Sequence, residues 1–186
     1  MNSEEFQKKL KTYQEPLSIS VSVSLSNYFD IIKYILDDFS NNKNIPIIYI
    51  SATIPSKSIS TVLDVYGIDS KKIFFVDCIS HIMMSSTTYT DRTVFVESPT
   101  MLETIMLKAE YILNKYVMKN SLVIVDSINS LAIHNDMKIL SEFLHLFVTY
   151  LRSRSAYFII LSMKEQSNNE ISNILNFVSD EILEVE

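Results

Sequence analysis

The sequence predicts an α/β protein on a mostly parallel central sheet, and three observations carry that prediction. Short apolar runs rich in Ile, Val and Phe recur along the chain, such as Ile47-Ile48-Tyr49-Ile50 and Phe158-Ile159-Ile160-Leu161. Between them lie longer segments with apolar residues at helical spacing, the alternation expected of β-α units. The chain has 186 residues, of which 47% are apolar, enough for one domain with a substantial core.

The first predicted strand, residues 18–26, reads Ser18-Ile19-Ser20-Val21-Ser22-Val23-Ser24-Leu25-Ser26. Its strict alternation puts every serine on one face. A strand buried on both faces normally reads as a continuous apolar run, so either the serine face is solvated or a helix packs very closely on it. Ser26 is placed to cap a helix carrying Tyr28, Phe29, Ile31, Ile32, Ile35, Leu36 and Phe39, with Asn41-Asn42-Lys43-Asn44 as its polar stop. A second strand covers 45–51. After Pro55, Ser56 or Ser58 caps a short helix with Ile59, Val62, Leu63 and Tyr66 on one face. The one glycine in the chain, Gly67, falls where a left-handed residue ends a helix.

Strands are next predicted at 72–77 and 93–97. Ser98-Pro99, with Thr100 and Glu103, supplies cap signals for a helix through Leu102, Ile105, Met106, Ala109, Ile112, Leu113 and Tyr116. The run Leu122-Val123-Ile124-Val125-Asp126 is the fifth strand. A helix over 136–153 carries Leu140, Phe143, Leu144, Phe147, Val148 and Leu151 as its principal stripe. A strand at 157–162, a helix at 170–177 and a strand at 180–185 complete the chain. Residues 1–16 form a helical extension, with Phe6, Leu10 and Tyr13 on one face and lysines around the rest, and default to docking on the domain that spans 17–186.

Composition removes whole classes of function. An average chain of this length would hold roughly thirteen glycines. One glycine excludes a glycine-rich phosphate loop, a collagen repeat or a flexible linker. Sixteen basic against 22 acidic residues leave a net charge of −6, which disfavours a nucleic-acid partner. A single cysteine, Cys78, cannot form an intrachain disulfide, so the expected location is the reducing cytoplasm. The apolar runs fall far short of the roughly 20 residues that span a bilayer, and no membrane association is expected.

In open parallel sheets, ligands gather at the carboxyl ends of strands. The cleft candidates there are Asp77, Glu97, Asp126, Ser127 and Ser162, with Ser26 and Ser51 beside them. Asp126 is the most informative, because four apolar residues ending in a carboxylate place it at the mouth of a buried strand, where it could hold a Mg²⁺ water shell. The same residue could equally cap the next turn.

Several segments in order resemble the RecA superfamily and, within it, the KaiC-like ATPases of archaea and bacteria. They are Ile45-Pro46-Ile47-Ile48-Tyr49-Ile50-Ser51, the helix closing with Tyr66-Gly67-Ile68-Asp69, and the strand Lys71-Lys72-Ile73-Phe74-Phe75-Val76-Asp77. The order continues with Leu122-Val123-Ile124-Val125-Asp126-Ser127, which resembles a Walker B strand, then Phe158-Ile159-Ile160-Leu161-Ser162 and Val178-Ser179-Asp180-Glu181-Ile182-Leu183-Glu184-Val185. The resemblance spans residues 17–186. It implies a P-loop-NTPase-type three-layer sandwich.

Two departures weigh against ATPase chemistry. Where active members carry G-x-x-x-x-G-K-[ST], this chain reads Leu25-Ser26-Asn27-Tyr28-Phe29-Asp30-Ile31-Ile32, with no glycine and no lysine before Lys33. Tyr28 and Phe29 would fill the space of the phosphates, and Asp30 would repel them. Where active KaiC-like members carry an acidic pair that includes the water-activating glutamate, this chain has Ser51-Ala52-Thr53. The expectation is a pseudo-ATPase with no cofactor, acting as a regulatory or scaffolding module with a protein partner or a second copy, a dimer before a ring. Two alternatives stay open: a sensory domain with a small ligand in the former nucleotide cleft, and a true nucleotide-binding protein with a reduced phosphate loop.

Other constellations are weaker. Cys78 and His81 are too few for zinc, with His134 and His145 remote in sequence. No G-x-S-x-G elbow exists for a serine hydrolase. The segment 82–90, with Met83 and Met84 beside hydroxyl residues, reads as a loop on the core or a surface contact.

Overall fold

Residues 1–83, 91–116 and 118–186 are described by a computed structural model. Seven strands among them form one sheet: β1 (Ser18–Val23), β2 (Ile47–Ser51), β3 (Ile73–Asp77), β4 (Thr93–Phe95), β5 (Leu122–Asp126), β6 (Tyr157–Met163) and β7 (Glu181–Val185). Their order is β4-β3-β2-β5-β6-β1-β7, and every neighbouring pair is parallel. Helices α1 (Ser3–Thr12), α2 (Tyr28–Leu36) and α3 (Ser56–Val65) bury their apolar faces on one side. Helices α5 (Leu102–Lys115), α6 (Ile128–His134), α7 (Met137–Ser153) and α8 (Asn169–Val178) bury theirs on the other, and α4 (Ser80–Met83) follows β3. This is the predicted three-layer sandwich.

Burial on both faces explains the unbroken apolar runs. In β5, Leu122 and Ile124 join the core under α2, while Val123 and Val125 join the core under α7. Every residue of β2, β3, β5 and β6 is buried. Along β1, Ile19, Val21 and Val23 enter the α2-side core with at most trace exposure. Its serine face resolves the open alternative in two parts. Ser18 and Ser20 are buried beneath the end of α8, where the Ser18 hydroxyl lies 3.0 Å from the Val178 carbonyl and 2.8 Å from Asp180 Oδ2, and Ser20 bonds Ser179. Ser22, at the carboxyl end, is only half-buried.

Several predicted boundaries move. The first strand ends at Val23, not residue 26, because its ladder partner β6 ends at Met163, opposite Val23. Leu25 is therefore exposed, in a short 3-10 turn over Leu25–Asn27. Ser26 caps nothing; its hydroxyl meets that of Ser24 at 2.9 Å, and α2 begins at Tyr28 after Asn27. Ser98 does not cap α5 either. It folds into a local turn, accepting from the Thr100 N–H at 3.2 Å, and the helix begins at Leu102. Gly67 sits as predicted, at φ 77 just beyond Tyr66, the C-cap of α3, with the next N–H returning from Ile68 to the Leu63 carbonyl. Of the 82–90 segment, Ile82 and Met83 are exposed at the end of α4, and residues 84–90 lie outside the described residues.

Helix α1 starts with a capping box between Asn2 and Glu5 and buries Phe6 and Leu10. It packs on α2 and β7, where the Tyr13 hydroxyl donates to Glu181 Oε2 at 2.7 Å and Lys9 pairs with the same carboxylate at 2.8 Å. No helix among the described residues is long and apolar enough to cross a membrane.

Candidate functional site

Strand β5 delivers Asp126 to the carboxyl edge of the sheet, between Ser51 of β2 and Leu161 of β6. Alternation places the Asp126 side chain on the α2 side, with Ile124 and Leu122. Two phenols meet it there. Tyr28, the first residue of α2, donates its hydroxyl to Asp126 Oδ2, and Tyr49, from the middle of β2, donates to the same oxygen. Tyr49 reaches because it lies two residues before Ser51, on the same face, in register with Ile124.

The cluster is dry. Asp126 and Tyr49 are fully buried, and Tyr28 is 5% exposed. The Tyr28 ring stands edge-on to Phe29 at 4.9 Å, and Tyr49 packs against Phe75 at 5.7 Å. Asp126 Oδ1 and the neighbouring Ser51 hydroxyl are both buried without a hydrogen-bond partner. Burial disfavours the carboxylate and pushes Asp126 up to about 6, although both phenol hydrogen bonds pull the other way. Both phenols are raised well above the ordinary tyrosine value, by burial first and then by the adjacent carboxylate. They remain neutral donors.

The five predicted cleft residues do not converge. Asp77 is a structural cap: Oδ2 accepts from the Ser56 N–H at 2.8 Å and the Ser80 hydroxyl at 2.6 Å, while Oδ1 accepts from the N–H groups of Ile79 and Ser80. Burial alone would raise this carboxyl, but the bonds from Ser56 and Ser80 hold it below its ordinary value. Ser127 is the N-cap of α6, accepting from the Ser130 N–H, with Thr53 Oγ1 at 3.3 Å. Glu97 is exposed beyond β4. Ser162 points to the opposite face, because Asp126 is level with Leu161 and the next residue along β6 faces the other way. Asp126 and Ser127 stay together; Asp77 stands level with Asp126 on the same face, across Ser51, but its oxygens are taken by Ser56, Ile79 and Ser80, while Glu97 faces outward and Ser162 the opposite side.

Sequence reasoning placed Tyr28 in the phosphate space but missed Tyr49. A signal existed, since a tyrosine inside an otherwise aliphatic central strand must find a partner for its hydroxyl.

No protein-family model and no curated protein sequence matches the chain. Solved structures do. A KaiC-like protein from the hyperthermophilic archaeon Pyrococcus horikoshii superposes with a TM-score of 0.65 at 13% identity, covering 91% of this chain and 72% of its own. The fold is KaiC-like. A second protein of the same organism, from a structural study, gives a TM-score of 0.62 at 18% identity, covering all of this chain and 88% of its own. Within this KaiC-like fold, Asp126 ends a central strand, and Tyr28 opens the helix that follows β1 and its short turn.

Proposed function

We propose that this chain is a pseudo-ATPase: a KaiC-like domain without catalysis that works as a regulatory or scaffolding interaction module. The observation that carries the reading is the pair of phenol hydroxyls on Asp126 Oδ2. An acid that holds Mg²⁺ through water needs a hydrated carboxylate facing an open cleft. Asp126 instead spends one oxygen on Tyr28 and Tyr49 and buries the other. Its surroundings do not fit a metal–nucleotide.

Two further features support the same reading. A phosphate cradle needs glycines that let successive backbone N–H groups converge, and the chain's one glycine ends α3. At the end of β2 the chain runs Ser51-Ala52-Thr53, with no carboxylate to activate water. The tyrosine rings also fill the space a small ligand would take on this face, which counts against a sensory site there. A second copy or another protein is the expected partner, and a dimer is favoured over a ring because no nucleotide is available to bridge subunits. The outward sides of α5, α7 and α8 expose Leu107, Leu146 and Phe177 as apolar material for such contacts.

Calorimetric titration with Mg-ATP, paired with a phosphate-release assay, tests the reading. The expected result is no saturable binding at millimolar nucleotide and no turnover. Steady hydrolysis that disappears in Asp126→Ala would overturn it.

A further inference from the structure

On the face of the sheet opposite Asp126, the carboxyl ends of the last strands form a second concavity. Ser22 of β1 stands level with Ser162 of β6 on one side and with Glu184 of β7 on the other. Helix α8 walls this floor with Ser172, Leu175 and Asn176, leaving a cavity of about 640 Å³. The lower members of the serine row are consumed by the chain itself, Ser18 by Val178 and Asp180 and Ser20 by Ser179. The upper end is different. Ser162 is 1% exposed, lines the cavity, and its hydroxyl has no hydrogen-bond partner. Buried hydroxyls are almost always satisfied, so an orphan at the wall of a cavity points to a group that comes from outside.

We propose that this cavity binds a small, uncharged, hydroxyl-rich molecule of the sugar or polyol class. The chemistry of the lining selects it. Serine hydroxyls and the Asn176 amide both donate and accept, which matches the dual character of ligand hydroxyls. Leu175 and Ile182 supply apolar patches for the C–H surface of such a ring. The charged lining is mixed, the Met1 ammonium and Lys164 against Glu184, and both cations are already engaged, Met1 with the Glu184 carbonyl at 2.9 Å and Lys164 with Glu186 at 3.0 Å, so an anion would have to displace contacts the chain already makes. The position agrees with the general placement of ligands at strand carboxyl ends in parallel sheets. This site is independent of the Asp126 cluster, on the other side of the sheet.

Titration of the ¹⁵N-labelled full chain with D-glucose, D-ribose, myo-inositol and, separately, inorganic phosphate tests the proposal through amide shifts. The expected result is saturable shifts at Ser22, Ser162, Ser172 and Asn176 with at least one of the uncharged compounds. Affinity should fall tenfold or more in Ser162→Val and in Asn176→Leu, and stay unchanged in Asp126→Asn. Asn176 is on the exposed side of α8, so its variant remains informative if Ser162→Val fails to fold. Shifts with phosphate alone would overturn the ligand class, and no saturable shift with any of the four would show a solvent-filled gap and overturn the site.

Discussion

The two faces of the sheet meet the same backbone geometry at their carboxyl ends and treat it oppositely. On the α2 side, Asp126 is covered by Tyr28 and Tyr49 until it has no exposed surface. On the α8 side, Ser22 and Ser162 leave a cavity open. Residue size decides the outcome, since phenols span the space that a serine hydroxyl leaves empty. A crevice beyond parallel strands is supplied by topology, whereas its availability to a ligand is supplied by a few side chains.

Four experiments would break or sharpen this contrast. The largest effect is expected from Tyr49→Ala, which removes a fully buried ring and one donor to Asp126 and should cost about 3–5 kcal/mol in a denaturant titration. A loss below about 1 kcal/mol would mean the closed face is not packed as described.

Next comes pH. The Asp126 carboxyl holds its proton more tightly in the folded chain, at about 6 against an ordinary 3.8. Its contribution to stability is therefore greatest below the lower value, declines as pH rises between the two, and is fully lost above about 6, a swing of about 3 kcal/mol. Asp77, Asp180 and Glu181 are lowered and slope the other way. The measurement is thus the difference between the wild-type and Asp126→Asn stability curves from pH 4 to 7. Parallel curves would show that Asp126 is solvated.

Tyr28→Phe removes one hydrogen bond to a charged acceptor and should cost about 1.5–3 kcal/mol at pH 7.5. The cost should shrink at pH 4.5, where Asp126 is protonated. An equal cost at both pH values would assign it to ring packing alone. The smallest effect belongs to the open face. Ser22→Val adds bulk toward a cavity and should change stability by no more than about 0.5 kcal/mol; a loss above 2 kcal/mol would show that the cavity closes in solution.

Much of the architecture was legible because each signal was local. The alternation in β1, the unbroken run in β5 and the placing of Gly67 each depend on a few neighbouring residues, and the structure keeps all three. The site was legible only where one strand sufficed. Asp126 at a strand mouth could be read, but its partners lie on α2 and β2, 98 and 77 residues away. Ser162 was grouped with Asp126 because both follow apolar runs. Which face each takes depends on the stagger between β5 and β6, where Asp126 is level with Leu161, and a one-residue stagger reverses the face. The Ser98 signal failed for a related reason: its hydroxyl found the Thr100 N–H first, and such local bonds compete with helix capping.

The position of β1 has a consequence for synthesis. Its neighbours in the sheet are β6 and β7, so Ser18 waits for Phe158, about 140 residues later. At cellular elongation rates of about 5–20 residues per second that is roughly 7–28 s with both edges unpaired. An all-aliphatic strand in that state would be a template for aggregation. A hydroxyl at every second residue lowers that hazard while keeping the apolar half needed for the eventual core.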